Sequence, residues 1–106
     1  MKQALVHSLK KRIFTTFLDI LILYKITKMG SVTGYCIMTD LQRENNIKLS
    51  ASTVYYALQK MEERGLIMAQ PNLRKKTYIL TEKGIKTMNH VPICMHEIQV
   101  LMNDLF

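Results

Sequence analysis

The sequence predicts a mainly α-helical fold with one small β-hairpin and a long C-terminal helix. Three observations predict it. Apolar residues recur at three- and four-residue spacing through three segments before residue 65. Two short β-prone runs then flank a turn that opens Pro71-Asn72. A second three-and-four series, starting at Val91, closes the chain.

The first helix is expected over about residues 11–28, where Ile13, Phe17, Leu21 and Tyr24 form a stripe that Leu18 and Ile20 widen. Gly30 stops it. The second spans about residues 33–46, with Ser31 or Thr33 as cap and Asn45-Asn46 as terminator. Tyr35, Met38 or Thr39, and Leu41 or Gln42 are its expected face, and Cys36 is a small buried apolar residue. The third runs over residues 50–64: Ser50 caps it, Val54, Leu58 and Met61 form the inner face, and Gly65 supplies the left-handed stop. Residues 66–70 and 76–80 pair as a hairpin with a basic tip. Thr81 caps the last helix, with Glu82 favourable in its first turn. Pro92 should kink or restart that helix, because it lacks a backbone donor.

Composition bounds function. The 106 residues carry 15 Lys and Arg against 8 Asp and Glu, a net charge of +7. One domain is expected, with residues 1–81 forming a helix-and-hairpin unit and residues 82–106 a terminal helix of the same compact body. The basic balance favours a polyanion, and nucleic acid is the commonest. No 18-residue apolar run is present, which excludes an ordinary membrane span. No signal-peptide pattern stands out, and two cysteines are too few for a disulfide framework, so a cytoplasmic protein is expected. No glycine-rich phosphate loop, Ser/His/Asp ordering or paired carboxylate motif points to catalysis, and no cofactor is implied.

The order helix, helix, helix, hairpin, helix is that of a winged helix-turn-helix. The DNA major groove, about 12 Å wide, admits one α-helix. The third helix offers Ser52, Thr53, Tyr56, Gln59 and Lys60 on its outer side, which read as lacking salt-bridge partners. Gln59 suits adenine edges, and Lys60 guanine or phosphate. Arg74, Lys75 and Lys76 at the hairpin tip suit phosphates. Lys10-Lys11-Arg12 reads as a solvated helix surface rather than a DNA arm.

On the C-terminal helix, Val91, Cys94, Ile98, Leu101 and Leu105 form a heptad-like seam that Met88, Met95 and Met102 widen. It is too apolar for a solvated terminal helix and predicts a dimer interface. The methionines fit helix packing better than an effector pocket. His90, Cys94 and Glu97 share a face at metal-ligand spacing, but no second cluster completes a site, so no metal is expected.

Three stretches resemble the PadR-like winged-helix transcriptional regulators. They are Thr33-Gly34-Tyr35-Cys36-Ile37, then Ser50-Ala51-Ser52-Thr53-Val54-Tyr55-Tyr56-Ala57-Leu58 running on to Glu62-Glu63-Arg64-Gly65-Leu66-Ile67, then Tyr78-Ile79-Leu80-Thr81-Glu82-Lys83-Gly84. The chain departs from the family pattern in five places. Val54 and Met61 stand for the usual Leu, Tyr56 where Pro is frequent, and Pro92 in the last helix, and the wing is short. The resemblance implies a homodimeric repressor of a near-palindromic operator, dimerising through the C-terminal helix packed with the N-terminal one. It implies DNA contacts at Tyr35, Ser50, Thr53 and Tyr55 and at the wing basics. It adds a small hydrophobic effector as an optional partner. The rival readings are a winged helix that docks a protein, and a metal- or effector-responsive regulator.

Overall fold

The computed structural model describes residues 1–72 and 75–106. In chain order the elements are α1 (Lys2–Thr16), α2 (Leu18–Met29), β1 (Val32–Thr33), α3 (Gly34–Asn45), α4 (Ala51–Glu63), β2 (Ile67–Asn72), β3 (Lys75–Leu80) and α5 (Glu82–Leu105). The sheet order is β1-β3-β2, antiparallel throughout, with Val32 opposite Tyr78 and Ile67 opposite Leu80.

The single first helix expected over residues 11–28 is two helices. Helix α1 starts at Lys2, and the chain breaks at Phe17 (φ −101°, ψ 22°). Two β-branched residues precede the break, and the Thr15 hydroxyl donates to the Lys11 carbonyl at 2.8 Å, a back-bond that bends helices. The anticipated stripe fails at both ends, because Ile13 and Tyr24 are about half exposed. Leu18, Ile22, Leu23 and Ile26 form the buried face instead. Similarly, α3 buries Gly34, Ile37 and Leu41, and Tyr35 points outward. Strand β1 escaped the sequence because two residues carry no periodicity.

The core lies between α2, α3, α4 and the sheet: Ile22, Leu23, Ile26, Ile37, Ile47, Val54, Leu58, Met61 and Ile67 are almost fully enclosed. The stop of α4 is a Schellman turn. Gly65 sits at φ +75°, its N–H donates to Glu62 O, and the Leu66 N–H donates to Met61 O.

That turn is fastened to the start of α5. The Thr81 hydroxyl donates to Gly65 O and accepts from the Gly84 N–H, the Thr81 N–H donates to Leu66 O, and Lys83 Nζ donates to Arg64 O at 2.7 Å. Gly84 is required here, since a Cβ would stand 2.1 Å from Leu66 O.

Helix α5 passes through Pro92 as one element of 24 residues, so of the kink or restart expected there the restart does not occur. Proline has no N–H, so the carbonyl four residues back, that of half-buried Met88, loses its helical donor. Beyond Val91 every residue of α5 is exposed, as is most of α1.

Candidate nucleic-acid interface

The outward side of α4 follows from its inner one. With Val54, Leu58 and Met61 in the core, the 3.6-residue period turns Ser52, Tyr56, Gln59 and Glu63 to solvent, all four exposed. Thr53 and Lys60 lie half-buried on one flank, and Tyr55 is exposed on the other.

The N-terminus of α4 is closed by hydroxyls. Ser50 Oγ accepts the Thr53 N–H at 3.2 Å and lies 3.1 Å from Ser52 Oγ and 2.7 Å from Thr53 Oγ1. Ser50 thus caps the helix while remaining exposed, and Ser52 is exposed beside it on the outer face. Helix α3 is capped in the same way, with Thr33 Oγ1 accepting the Cys36 N–H at 3.1 Å.

On the wing flank, Tyr35, Tyr55, Lys75 and Lys76 surround a concave surface of about 470 Å³, floored by Thr33, Gly34, Cys36 and Tyr78. The Tyr55 ring lies against Gly34, where a Cβ would come within 2.6 Å of Cε1. Tyr78 is buried beneath, and burial pushes its phenol above the usual value, opposed by the nearby Lys76 charge. Lys76 stands 3.8 Å from Glu62 and 5.8 Å from the centre of the Tyr78 ring, which ties the wing to α4. Arg74, the remaining basic residue expected at the tip, lies outside the described residues.

The expected site residues therefore divide. Tyr35, Tyr55, Lys75 and Lys76 gather on one flank, Ser52, Tyr56 and Gln59 form the ridge, and Thr53 and Lys60 turn toward the other flank.

One expectation is overturned. Lys60 and Gln59 do have an acidic neighbour, since Lys60 Nζ is 3.3 Å and Gln59 Nε2 3.4 Å from the Glu63 carboxylate. The i,i+3 and i,i+4 spacings to Glu63 carried that signal. Sequence reasoning also missed Gly34 as a platform. Its signal was the Gly-Tyr pair, whose meaning depends on Tyr55, 21 residues away.

In the seam, Val91 is half-buried, and Cys94, Met95, Ile98, Leu101, Met102 and Leu105 are exposed in the single chain. Met88 packs against the core edge. Cys36 is half-buried rather than enclosed. His90, Cys94 and Glu97 are exposed, and among the described residues no three His, Cys, Asp or Glu side chains converge on a metal position. No helix among those residues is long and apolar enough to cross a membrane.

Comparisons with known proteins agree with this geometry. The model of the transcriptional regulator PadR-like family matches residues 22–90. A crystal structure of a PadR family transcriptional regulator from Eggerthella lenta DSM 2243 superposes with a TM-score of 0.78 at 21% identity, covering 98% of this chain and 94% of that one. The winged-helix DNA-binding protein F93 from STIV superposes with a TM-score of 0.64 at 18% identity, over 73% of this chain and 85% of that one. Bacillus subtilis PadR, solved in complex with operator DNA, gives a TM-score of 0.65 at 26% identity, and the match spans 72% of this chain but 46% of that longer one. Among curated proteins none matches in sequence. The match to the family model takes in α3, α4, both wing strands and the first turns of α5, so this winged-helix chain belongs to the PadR-like family of transcriptional regulators.

Proposed function

We propose that the chain is a homodimeric, sequence-specific double-stranded DNA-binding repressor. The observation that carries this reading is the exposed polar ridge of α4 bordered by Tyr35, Tyr55, Lys75 and Lys76. A helix so bordered can enter a major groove while the aromatic hydroxyls and ammonium groups meet the adjoining phosphates. The ridge of Ser52, Tyr56 and Gln59 then reads base edges, and Gln59 suits adenine. Bacillus subtilis PadR, a family relative, has been solved with operator DNA, which supports a duplex as the partner.

Dimerisation is supported by Met95, Ile98, Leu101, Met102 and Leu105 of the α5 seam and by Leu5, Leu9 and Ile13 of α1, all solvent-facing in one copy. Apolar surface on that scale is what subunit contacts cover. Two copies joined there would present two α4 helices, and a duplex read on one face requires a spacing near 34 Å. Binding over a promoter would repress by occupancy, in the cytoplasm. Met95 and Met102 serve helix packing in the subunit contact, and a small hydrophobic effector is an optional further partner near it.

Selection of bound duplexes from a random pool tests the reading. Recovered sequences should share two related half-sites. Recovery of no preferred duplex would favour the rival, a winged helix that docks a protein.

A further inference from the structure

The major groove has two banks, and the wing serves one of them. A helix lying in a groove about 12 Å wide meets phosphates of both strands. On the side of α4 away from the wing, Thr53, Tyr56, Lys60 and Arg64 face Thr15, Thr16 and Asp19 across a cleft of about 550 Å³. Thr15 and Thr16 also border a shallow groove shared with Lys11 and Arg12. A continuous basic and hydroxyl-bearing shoulder therefore runs from the C-terminal half of α4 up the last turns of α1.

Its charges suit an anion. Helix α1 contains Lys2, Lys10, Lys11 and Arg12 and no acidic residue. Lys11 and Arg12 are exposed, and neither forms an ion pair among the described residues. One carboxylate, Asp19, lines the cleft, and a second, Glu63, is exposed on α4 beside it. Asp19 accepts the Ile20 N–H at 2.8 Å and lies 3.9 Å from Arg64, and Glu63 holds Lys60. A guanidinium has five donors, so Arg64 keeps several for a second acceptor. The apolar stripe Leu5, Leu9 and Ile13 repeats every four residues on α1, and the pairs Lys11, Thr15 and Arg12, Thr16 repeat at the same interval beside it. Helix α1 thus carries one stripe for a second subunit and another for a polyanion.

We infer that Lys11, Arg12 and Thr16, with Lys60 and Arg64, form a second phosphate-binding shoulder that holds the DNA backbone on the bank opposite the wing. This rests on the proposed DNA-binding reading and gives the N-terminal helix a role in it. Of the two roles the sequence left open for Lys60, guanine or phosphate, it takes the phosphate.

The test uses the full chain and a duplex from the selection. Lys11→Ala with Arg12→Ala leaves the core untouched and keeps strong helix formers in place. The double variant should sediment as wild type and bind roughly tenfold more weakly at moderate salt. Its log–log salt slope should be shallower by about 2 per subunit. The ranking of mutated duplexes should not change. Phosphate-ethylation interference should lose one cluster per half-site while the wing's cluster persists. Wild-type affinity and slope in the variant would overturn the shoulder and leave the DNA reading standing. Loss of subunit pairing would also overturn it, by assigning the stripe to the dimer contact. Failure of the wild-type chain to bind any duplex would overturn both.

Discussion

Gly34 is the seat of the Tyr55 ring: a Cβ at residue 34 would lie 2.6 Å from Cε1, 2.7 Å from Cζ and 2.9 Å from the hydroxyl. The relationship joins the first residue of α3 to the wing-side flank of α4 and aims a phenol beside Tyr35, Lys75 and Lys76. Gly34 is not at positive φ, so the glycine is needed for space rather than for backbone freedom. Gly34→Ala should accordingly keep the fold, within about 1 kcal/mol, since the obstructing atoms belong to a half-exposed side chain that can swing aside. DNA affinity should fall all the same. In a Tyr55→Ala background the same change should have no further effect, a non-additivity that a double-mutant cycle of binding energies measures.

Gly84 presents the opposite case. The atom facing its missing Cβ is the Leu66 carbonyl oxygen at 2.1 Å, part of the backbone that joins α4 to β2. Gly84→Ala has no cheap relaxation and should cost about 2–3 kcal/mol or more. Urea unfolding reads this as a lower midpoint at unchanged slope. Because Thr81 and Lys83 fasten the same turn, the loss should also loosen the C-terminal end of α4.

Ridge and wing should separate by type of effect. Lys75→Ala with Lys76→Ala should weaken binding to all duplexes alike and flatten the salt slope by about 2 per subunit. Gln59→Ala should leave the slope and lower the preference for the selected site, by about 1–3 kcal/mol at one base pair. Titrations against matched and mismatched duplexes at several salt concentrations distinguish them.

Tyr78 predicts an alkaline weakness. Burial raises its phenol above the ordinary value near 10, so the folded chain holds the proton more tightly than the unfolded one. The resulting stability is fully present below pH 10 and is lost as pH rises through the raised value. Thermal unfolding of Tyr78→Phe followed from pH 8 upward should fall less steeply than that of wild type.

Much of this architecture was legible in the sequence because local signals and tertiary burial agreed. Ser50, Gly65 and Thr81 mark caps and stops where the structure has them, and the Val54, Leu58, Met61 spacing named the inner face of α4. Legibility failed where two turns of apolar residues served two different helices. Ile13 and Phe17 continue the period of Leu21 and Tyr24, yet the Thr15 back-bond and the solvent exposure of α1 divide the stretch. It failed again where meaning needed a distant partner. Gly34 requires Tyr55, and Gly84 requires Leu66. At Pro92 the sequence left a kink and a restart both open, and the helix carries through without a restart.

The central claim is that two α4 helices, held together by α1 and α5, enter one duplex at once. Analytical ultracentrifugation of the chain with a selected duplex across a salt series measures stoichiometry and affinity together. The account predicts two chains per duplex and a log–log salt slope of about −5 or steeper. A chain that stays single at all concentrations, or an affinity indifferent to salt, would contradict it.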